Sequence, residues 1–166
     1  MTARVRWLPF AAAALIAVAD RATKALVESR VAPWEILPVI PGFFQIIFLR
    51  NTGIAFGFLQ SGDGETSVFL TVFTVAVLGF LAWLLWQAAK PAAPEHWTLR
   101  YGLACVLGGA AGNLHDRIVF RGVTDFLDFY WGRWHFPAFN VADSAITCGA
   151  ALLLLNVWLT RKRPGG

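Results

Sequence analysis

Hydrophobic residues divide the chain into four long apolar segments with more polar connections between them. About 20 residues of α-helix cross the roughly 30 Å of a bilayer's hydrocarbon. The segments of that length are residues 7–27, 68–87, 98–119 and 139–160. This pattern predicts a mainly α membrane protein, a four-transmembrane-helix bundle that forms a single integral membrane domain over residues 1–166.

The connection between the first and second segments, residues 28–67, follows another pattern. Residues 43–59 read FFQIIFLRNTGIAFGFL, with the β-branched and aromatic residues that are typical of strands. Pro33 and Pro38 precede this stretch and oppose a long helix there. We therefore predict a small strand pair at the membrane surface, an extracytoplasmic β-cradle beside the helix ends.

Composition and the placement of charge support membrane insertion and indicate its direction. Charged residues are 14% of the chain, whereas a soluble domain has about 25%. Basic residues precede the first segment, flank the connection 88–97 and follow the last segment as RKR at 161–163. The positive-inside rule then places both termini in the cytoplasm and residues 28–67 and 120–138 outside.

The first segment also has the features of a secretory signal peptide. A basic start, a short apolar core and an Ala-Val-Ala triplet at 17–19 match the pattern of a cleaved leader. Apolar residues resume after Lys24, however, and three further apolar segments follow. We therefore expect the first segment to remain as a transmembrane helix.

The cysteine and histidine residues exclude several kinds of site. Cys105 and Cys148 lie inside apolar segments, where we expect buried free thiols rather than a disulfide. His96, His115 and His135 are scattered and form no metal-binding motif. No basic stripe with interleaved aromatic residues indicates nucleic-acid binding. We therefore expect no metal, no cofactor and no nucleic-acid partner, but contact with membrane lipid.

Polar residues of three segments lie at one depth. Since an α-helix rises 1.5 Å per residue, Asp20 and Lys24 lie about 21 and 27 Å from the cytoplasmic basic residues. By the same count Asn113, Arg117 and Asp143 lie about 20, 26 and 27 Å deep. Ionisable residues within spans are costly and usually mark functional sites. A site is therefore predicted in the outer third of the bilayer.

The spacing of these residues brings them into pairs on common helix faces. At three or four residues apart, two side chains share one face. A polar clamp without chemistry would use such pairs, and so would a transporter or channel subunit. A transporter should spread polar groups along a path, whereas the second segment here has no charge. The pairs are Asp20 with Lys24, Asn113 with Arg117, and Asn140 with Asp143.

Among the polar residues at this depth, a pair of aspartates is best suited to catalysis. Ser144 has no histidine at comparable depth, so a nucleophilic set is absent. Two close carboxylates share one proton, so that one acts as base and the other as acid toward water. Asp143 is one candidate. The residues alone leave its partner open between Asp116, Asp125 and Asp128, with Asp125 slightly favoured because an extended segment there can turn back over the helix ends. Asp116 could instead form a structural ion pair with its neighbour Arg117.

Five motifs in order resemble those of one family, the bacterial lipoprotein signal peptidases (signal peptidase II), which are membrane aspartic proteases. Ile at position 54 departs from the family's usual Ala. The motifs are DRATK at 20–24, NTGIAFG at 51–57, GGAAGNLHDR at 108–117, VTDFLDF at 123–129 and FPAFNVADSAI at 136–146.

The resemblance implies an activity, a location and site residues. It implies cleavage of diacylglyceryl-modified prolipoproteins before the lipidated cysteine, in the bacterial cytoplasmic (inner) membrane, at a site toward the outer leaflet. We expect a monomer. Asp125 and Asp143 are implied as the catalytic pair. The residues implied to bind substrate or support the site are Asp20, Lys24, Asn51, Gly53, Asn113, Arg117 and Asn140.

Overall fold

A computed structural model describes residues 3–52, 65–90 and 96–161. The described chain contains four long helices and a four-stranded sheet. The helices are α1 (Ala3–Arg30), α2 (Glu65–Ala88), α3 (Trp97–Phe120) and α4 (Val141–Arg161), and the strands are β1 (Ile36–Ile40), β2 (Phe44–Asn51), β3 (Val123–Trp131) and β4 (Trp134–His135). This mainly helical structure with a small antiparallel sheet confirms the predicted fold class at that level.

Two of the four helices are long and apolar enough to cross a membrane. They are Val68–Ala88 and Val141–Arg161, with mean hydropathies of 2.5 and 1.6. Most of their residues face outward, since only 11% of the most apolar stretch of each is buried. Helices α1 and α3 hold most of the buried ionisable residues, which lowers their hydropathy.

Helix α3 packs against each of the other three helices. Its glycines allow close approach: a Cβ on Gly108 would lie 2.5 Å from the Ala13 carbonyl oxygen of α1. A Cβ on Gly112 would lie 2.5 Å from the Asp20 carboxylate. The absence of side chains at these positions therefore brings the polar residues of α1 next to α3.

The sheet is antiparallel, in the order β1-β2-β3-β4. The predicted strand stretch 43–59 contains β2, but β2 pairs with β1 and β3 rather than with its own second half. Residues 53–59 lie outside the described chain. Strand β1 contains Pro38, and it is the edge strand of the described sheet, a position that accepts proline because one side of the strand need not donate to a partner.

Strand β3 is the extended segment that we expected after the third helix. It begins where β2 ends, since Asn51 is paired with Val123 and Leu49 with Asp125. It then leads through a turn at Gly132, where φ is +60°, into β4. The sheet therefore holds Asp125 beside the ends of the helices.

Candidate active site

Asp125 is a buried strand residue held by two asparagine side chains. Its residue exposure is 3%. Asn51, at the end of β2, donates from Nδ2 to Asp125 Oδ2 at 3.0 Å. Asn140 donates from Nδ2 to Asp125 Oδ1 at 2.8 Å. Both carboxylate oxygens of Asp125 are therefore oriented by amide donors.

Asp143 lies in the first turn of α4 and forms a reciprocal cap with Asn140. The Asp143 backbone N–H donates to Asn140 Oδ1 at 2.9 Å, and the Asn140 backbone N–H donates to Asp143 Oδ2 at 3.2 Å. Asn140 therefore precedes α4 as its cap, where the sequence had indicated a helical position. With its Nδ2 it also reaches Asp125, so one side chain connects both aspartates.

Asn113 connects Asp143 to a buried lysine. Its Nδ2 donates to Asp143 Oδ1 at 2.9 Å, and its Oδ1 accepts from Lys24 Nζ at 2.8 Å. Because an ammonium only donates, Lys24 must face the amide oxygen. The nitrogen of Asn113 is thereby directed at Asp143.

Lys24 also forms ion pairs with two fully buried carboxylates. Its Nζ lies 2.7 Å from Asp20 Oδ2 and 3.1 Å from Asp116 Oδ2. Asp20 Oδ1 in turn accepts from the Ala142 backbone N–H at 2.8 Å, which attaches α1 to the start of α4. The predicted pair Asp20–Lys24 is thus confirmed as a contact and joined to α3 and α4.

Within the part of the chain that the structure describes, Asp116 forms ion pairs with α1 and none with its neighbour Arg117, the alternative partner. Arg21 lies 2.9 Å from Asp116 Oδ1, beside the contact with Lys24. The Thr124 backbone N–H donates to Asp116 Oδ2 at 3.2 Å. Successive side chains point about 100° apart around a helix, so Asp116 and Arg117 face different surroundings.

Asp128 faces away from the two aspartates. Side chains alternate along a strand, so Asp125 and Asp128 lie on opposite faces of β3. Asp128 is buried and accepts from Gln45 Nε2 at 2.7 Å. His135 Nδ1 lies 2.9 Å from Asp128 Oδ2. Sequence reasoning missed this pair; its signal was the strand–Gly–strand pattern YWGRWH, which brings His135 back beside β3.

The pKa of Asp125 is raised from its ordinary value to about 6. Burial is the main cause, because it disfavours the charged form. The neighbouring Asp143 carboxylate raises the pKa further, while the amides of Asn51 and Asn140 lower it. A carboxyl group with this pKa can hold a proton near neutral pH.

A cavity of about 540 Å³ opens beside these residues. Its lining includes five of the polar residues that the sequence singled out, and most of its other residues are apolar. Gly53, also singled out, lies outside the described residues. The polar residues are Asn51, Asn113, Arg117, Asp125 and Asp143. The largely apolar part of the lining, here called the apolar wall, includes Phe136, Pro137, Ala138, Phe139, Ile146, Thr147 and Cys148.

Comparison with protein families gives one match over most of the chain. The family model described as signal peptidase (SPase) II matches residues 12–159. The chain belongs to the signal peptidase II family. It is therefore an enzyme, an aspartic endopeptidase of the signal peptidase II type, and the resemblance seen in its motifs is confirmed.

Relatives from several bacteria support the signal peptidase II assignment. The lipoprotein signal peptidase of Solibacter usitatus (strain Ellin6076) is 45% identical over 154 residues, which is 92% of each chain. That of Syntrophotalea carbinolica is 44% identical and covers 88% of each chain. That of Nitratidesulfovibrio vulgaris (strain DP4) is 47% identical over 88% of this chain and 86% of the relative.

Solved structures share the fold of this signal peptidase II. A bacterial membrane enzyme determined by the in meso method at 2.3 Å resolution has a TM-score of 0.81 and 27% identity. It matches 96% of this chain and 93% of its own. A second, at 1.9 Å resolution, has a TM-score of 0.74 and 26% identity, over 90% of this chain and 92% of its own. The chain is accordingly a membrane enzyme.

Proposed function

We propose that this chain removes the signal peptide from diacylglyceryl-modified prolipoproteins by cleaving before the lipidated cysteine, with Asp125 and Asp143 as the catalytic pair. The observation that carries this proposal is the shared contact of Asn140 with both aspartates at the wall of a cavity. The polar lining residues offer carboxylates and amides for a peptide bond, and the apolar wall offers surface for a lipid-linked substrate.

The proposed reaction uses one proton shared by the pair. With its pKa raised to about 6, Asp125 retains the proton more readily than an ordinary carboxyl group. Asp143 lies in the first turn of α4, where the helix dipole favours a negative charge. Asp143 then takes a proton from the attacking water, and Asp125 donates one toward the developing oxyanion or leaving amine.

The surrounding polar residues bind the substrate or hold the pair. Arg117 lines the cavity and is attracted by both aspartates. We assign Arg117, Asn51 and Asn113 to binding the peptide backbone of the substrate or carbonyl groups near its lipid. The hydrogen bonds that Arg117 donates are charge-assisted. Asp20 and Lys24 support the site through Asn113 and the start of α4.

We also propose that four spans of a single domain, residues 1–166, cross the bacterial cytoplasmic (inner) membrane. Both termini are then cytoplasmic, and the cavity opens toward the outer leaflet, where membrane lipid contacts the protein. Exposed aromatic side chains in the sheet and in the turn that precedes it support this arrangement, with Trp131 79% and Trp34 90% exposed. The buried contacts among all four helices are compatible with activity as a monomer.

The proposal is tested with purified enzyme, a diacylglyceryl-modified prolipoprotein and the unlipidated form of the same protein. We expect cleavage of the lipidated form only. Asp125→Asn and Asp143→Asn should each abolish cleavage, because neither variant can form a carboxyl pair with a shared proton. Glu35→Gln, an exposed substitution of the same kind, is the matched control.

Two results would contradict the proposal. Near-normal cleavage by either aspartate variant would exclude the catalytic pair. Cleavage of the unlipidated protein at a similar rate would exclude the requirement for the diacylglyceryl group. Thermal unfolding in detergent accompanies each assay, so that a loss of folded protein is not counted as a loss of chemistry.

A further inference from the structure

One buried carboxylate has no part in the proposed reaction. Asp128 is only 4% exposed and lies on the face of β3 opposite to Asp125. It has two side-chain donors among the described residues, Gln45 Nε2 at 2.7 Å and His135 Nδ1 at 2.9 Å. A buried carboxylate is costly unless it is hydrogen-bonded, so both donors are needed.

His135 is held in place by three kinds of contact. Its Nδ1 also lies 3.1 Å from Asp128 Oδ1, so it reaches both carboxylate oxygens. Its ring stacks on Tyr130, with centroids 5.3 Å apart and planes 13° apart. The backbones of the same two residues are paired between β3 and β4. With Asp128 as a carboxylate, which only accepts, the Nδ1–H tautomer of His135 is the one that forms this hydrogen bond.

The chain continues from His135 directly into the apolar wall of the cavity. Residues 136–139 line that wall. The Phe136 backbone N–H donates to the Phe129 carbonyl at 2.8 Å, and Phe139 pairs with Leu127 at the other end. No strand pairing is present between these two attachments. The position of the wall therefore depends on how firmly its first attachment is held, and His135 adjoins that attachment.

We propose that Asp128 and His135 are positioning residues that hold the 136–139 wall in place and thereby set the affinity for the apolar part of the substrate. This inference rests on the proposed function, because it assigns that wall to substrate binding. Neither side chain touches the reacting atoms, so their contribution belongs to binding and not to proton transfer.

Two substitutions at one position separate the hydrogen bond from the aromatic stack. His135→Phe keeps a ring for Tyr130 but has no donor, whereas His135→Asn keeps a donor near the position of Nδ1. We expect His135→Phe to raise KM about fivefold, as for the loss of a hydrogen bond to a charged group that is partly open to solvent. We expect kcat to change little and His135→Asn to restore most of the affinity. His96→Phe, at the start of α3, is the matched control.

A double-mutant cycle tests whether the two residues act as a pair. Asp128→Ala should raise KM to a similar degree as His135→Phe, and the double variant should show no further increase, because each single change already removes the contact. In His135→Phe, amide hydrogen exchange should become faster in residues 131–139 and remain unchanged in α3.

The inference is overturned if His135→Phe leaves KM and exchange unchanged, or if His135→Asn raises KM as much as His135→Phe. A variant that does not fold is recognised by its thermal unfolding, and Asp128→Ala, which removes the same contact, then carries the test through KM and exchange in residues 131–139. Failure of the proposed function would look different, because the unsubstituted enzyme would not cleave the lipidated substrate or Asp125→Asn would remain active.

Discussion

At the scale of single residues, the candidate site is organised by amide groups whose orientation is determined by their neighbours. Asn113 presents its nitrogen to Asp143 because Lys24 occupies its oxygen. Asn140 presents its nitrogen to Asp125 because its oxygen accepts the Asp143 backbone N–H. Each aspartate thus faces donors that were oriented before substrate enters, and such preorganisation reduces the reorganisation that the reaction requires.

The raised pKa of Asp125 predicts an alkaline limit to activity. With a pKa of about 6, Asp125 keeps its proton below that pH and loses it as the pH rises further. Since the proposed reaction needs one proton on the pair, kcat/KM should fall above about pH 6, by up to tenfold per pH unit. Initial rates at saturating and at low substrate, from pH 4.5 to 9, measure this.

The Asp125 carboxyl group also makes the stability of the fold decrease as the pH rises. The pKa of Asp125 is higher in the folded than in the unfolded state, so this carboxyl group stabilises the fold when the pH is below its unfolded-state pKa. The contribution is lost as the pH rises through about 6. The free energy of unfolding of Asp125→Asn should therefore depend less on pH in this range. For the activity of the unsubstituted enzyme, a rate that stays constant from pH 5 to 8 would contradict the assigned role of Asp125.

At the scale of secondary-structure elements, α3 is the helix around which the site is assembled. It contacts α1, α2 and α4, and its polar residues lie on the part that meets α1 and α4. The β3 strand then returns over this end, and the Thr124 N–H is bonded to Asp116 of α3. Small residues on α3 are therefore needed for the geometry of the site as well as for helix packing.

A pair of glycine substitutions tests this dependence on close packing. Gly112→Ala places a Cβ 2.5 Å from Asp20 Oδ2, which must move and disturb its contact with Lys24. We expect a loss of roughly 1–3 kcal/mol in the free energy of unfolding, as for overpacked cores, and a large loss of activity. Thermal unfolding and cleavage rates measure the two effects.

Gly79→Ala on α2 is the matched control for Gly112→Ala. Apart from the adjoining backbone of α2, no atom of the described residues lies within 4 Å of a Cβ at Gly79. The added methyl group also favours the helix by about 0.5–1 kcal/mol relative to glycine. We expect equal or slightly higher stability and unchanged cleavage. Equal behaviour of the two variants would mean that the approach of α1 to α3 is not needed.

At the scale of the whole molecule, apolar and polar surfaces are distributed as a membrane enzyme requires. Helices α2 and α4 expose large hydrophobic side chains such as Phe69, Trp83 and Leu154. Three of the buried charged residues, Asp20, Lys24 and Asp116, are gathered between α1 and α3. The hydrophobic effect therefore drives this chain into lipid, while the charged cluster remains inside the protein.

The proposed topology is tested with single cysteines in the two kinds of connection. Glu35→Cys lies between α1 and β1, and Lys90→Cys follows α2; both residues are exposed. In spheroplasts, a membrane-impermeant maleimide should label Glu35→Cys, and it should label Lys90→Cys only after permeabilisation. The unsubstituted chain controls for reaction at Cys105 and Cys148. Labelling of Lys90→Cys in intact spheroplasts would contradict a cytoplasmic connection.

Several features of this protein are local in sequence and were predicted correctly without the structure. The length of the apolar segments predicted four helices, because each segment is recognised from its own residues without reference to distant parts of the chain. The spacing of Asp20 and Lys24 predicted their contact, because four residues make one turn of a helix. The motifs identified the family, which the comparisons confirm.

The remaining features depended on residues that are distant in the chain. Asp116 was expected beside Arg117, but its partners are Lys24 and Arg21 of α1. The bridging role of Asn140 requires β3 and α4 to meet, and nothing in their separate patterns specifies that. The sequence by itself determined the helices, their polar faces and the family. Tertiary structure alone decided which buried charges meet between different elements, because such pairing depends on distances that packing creates.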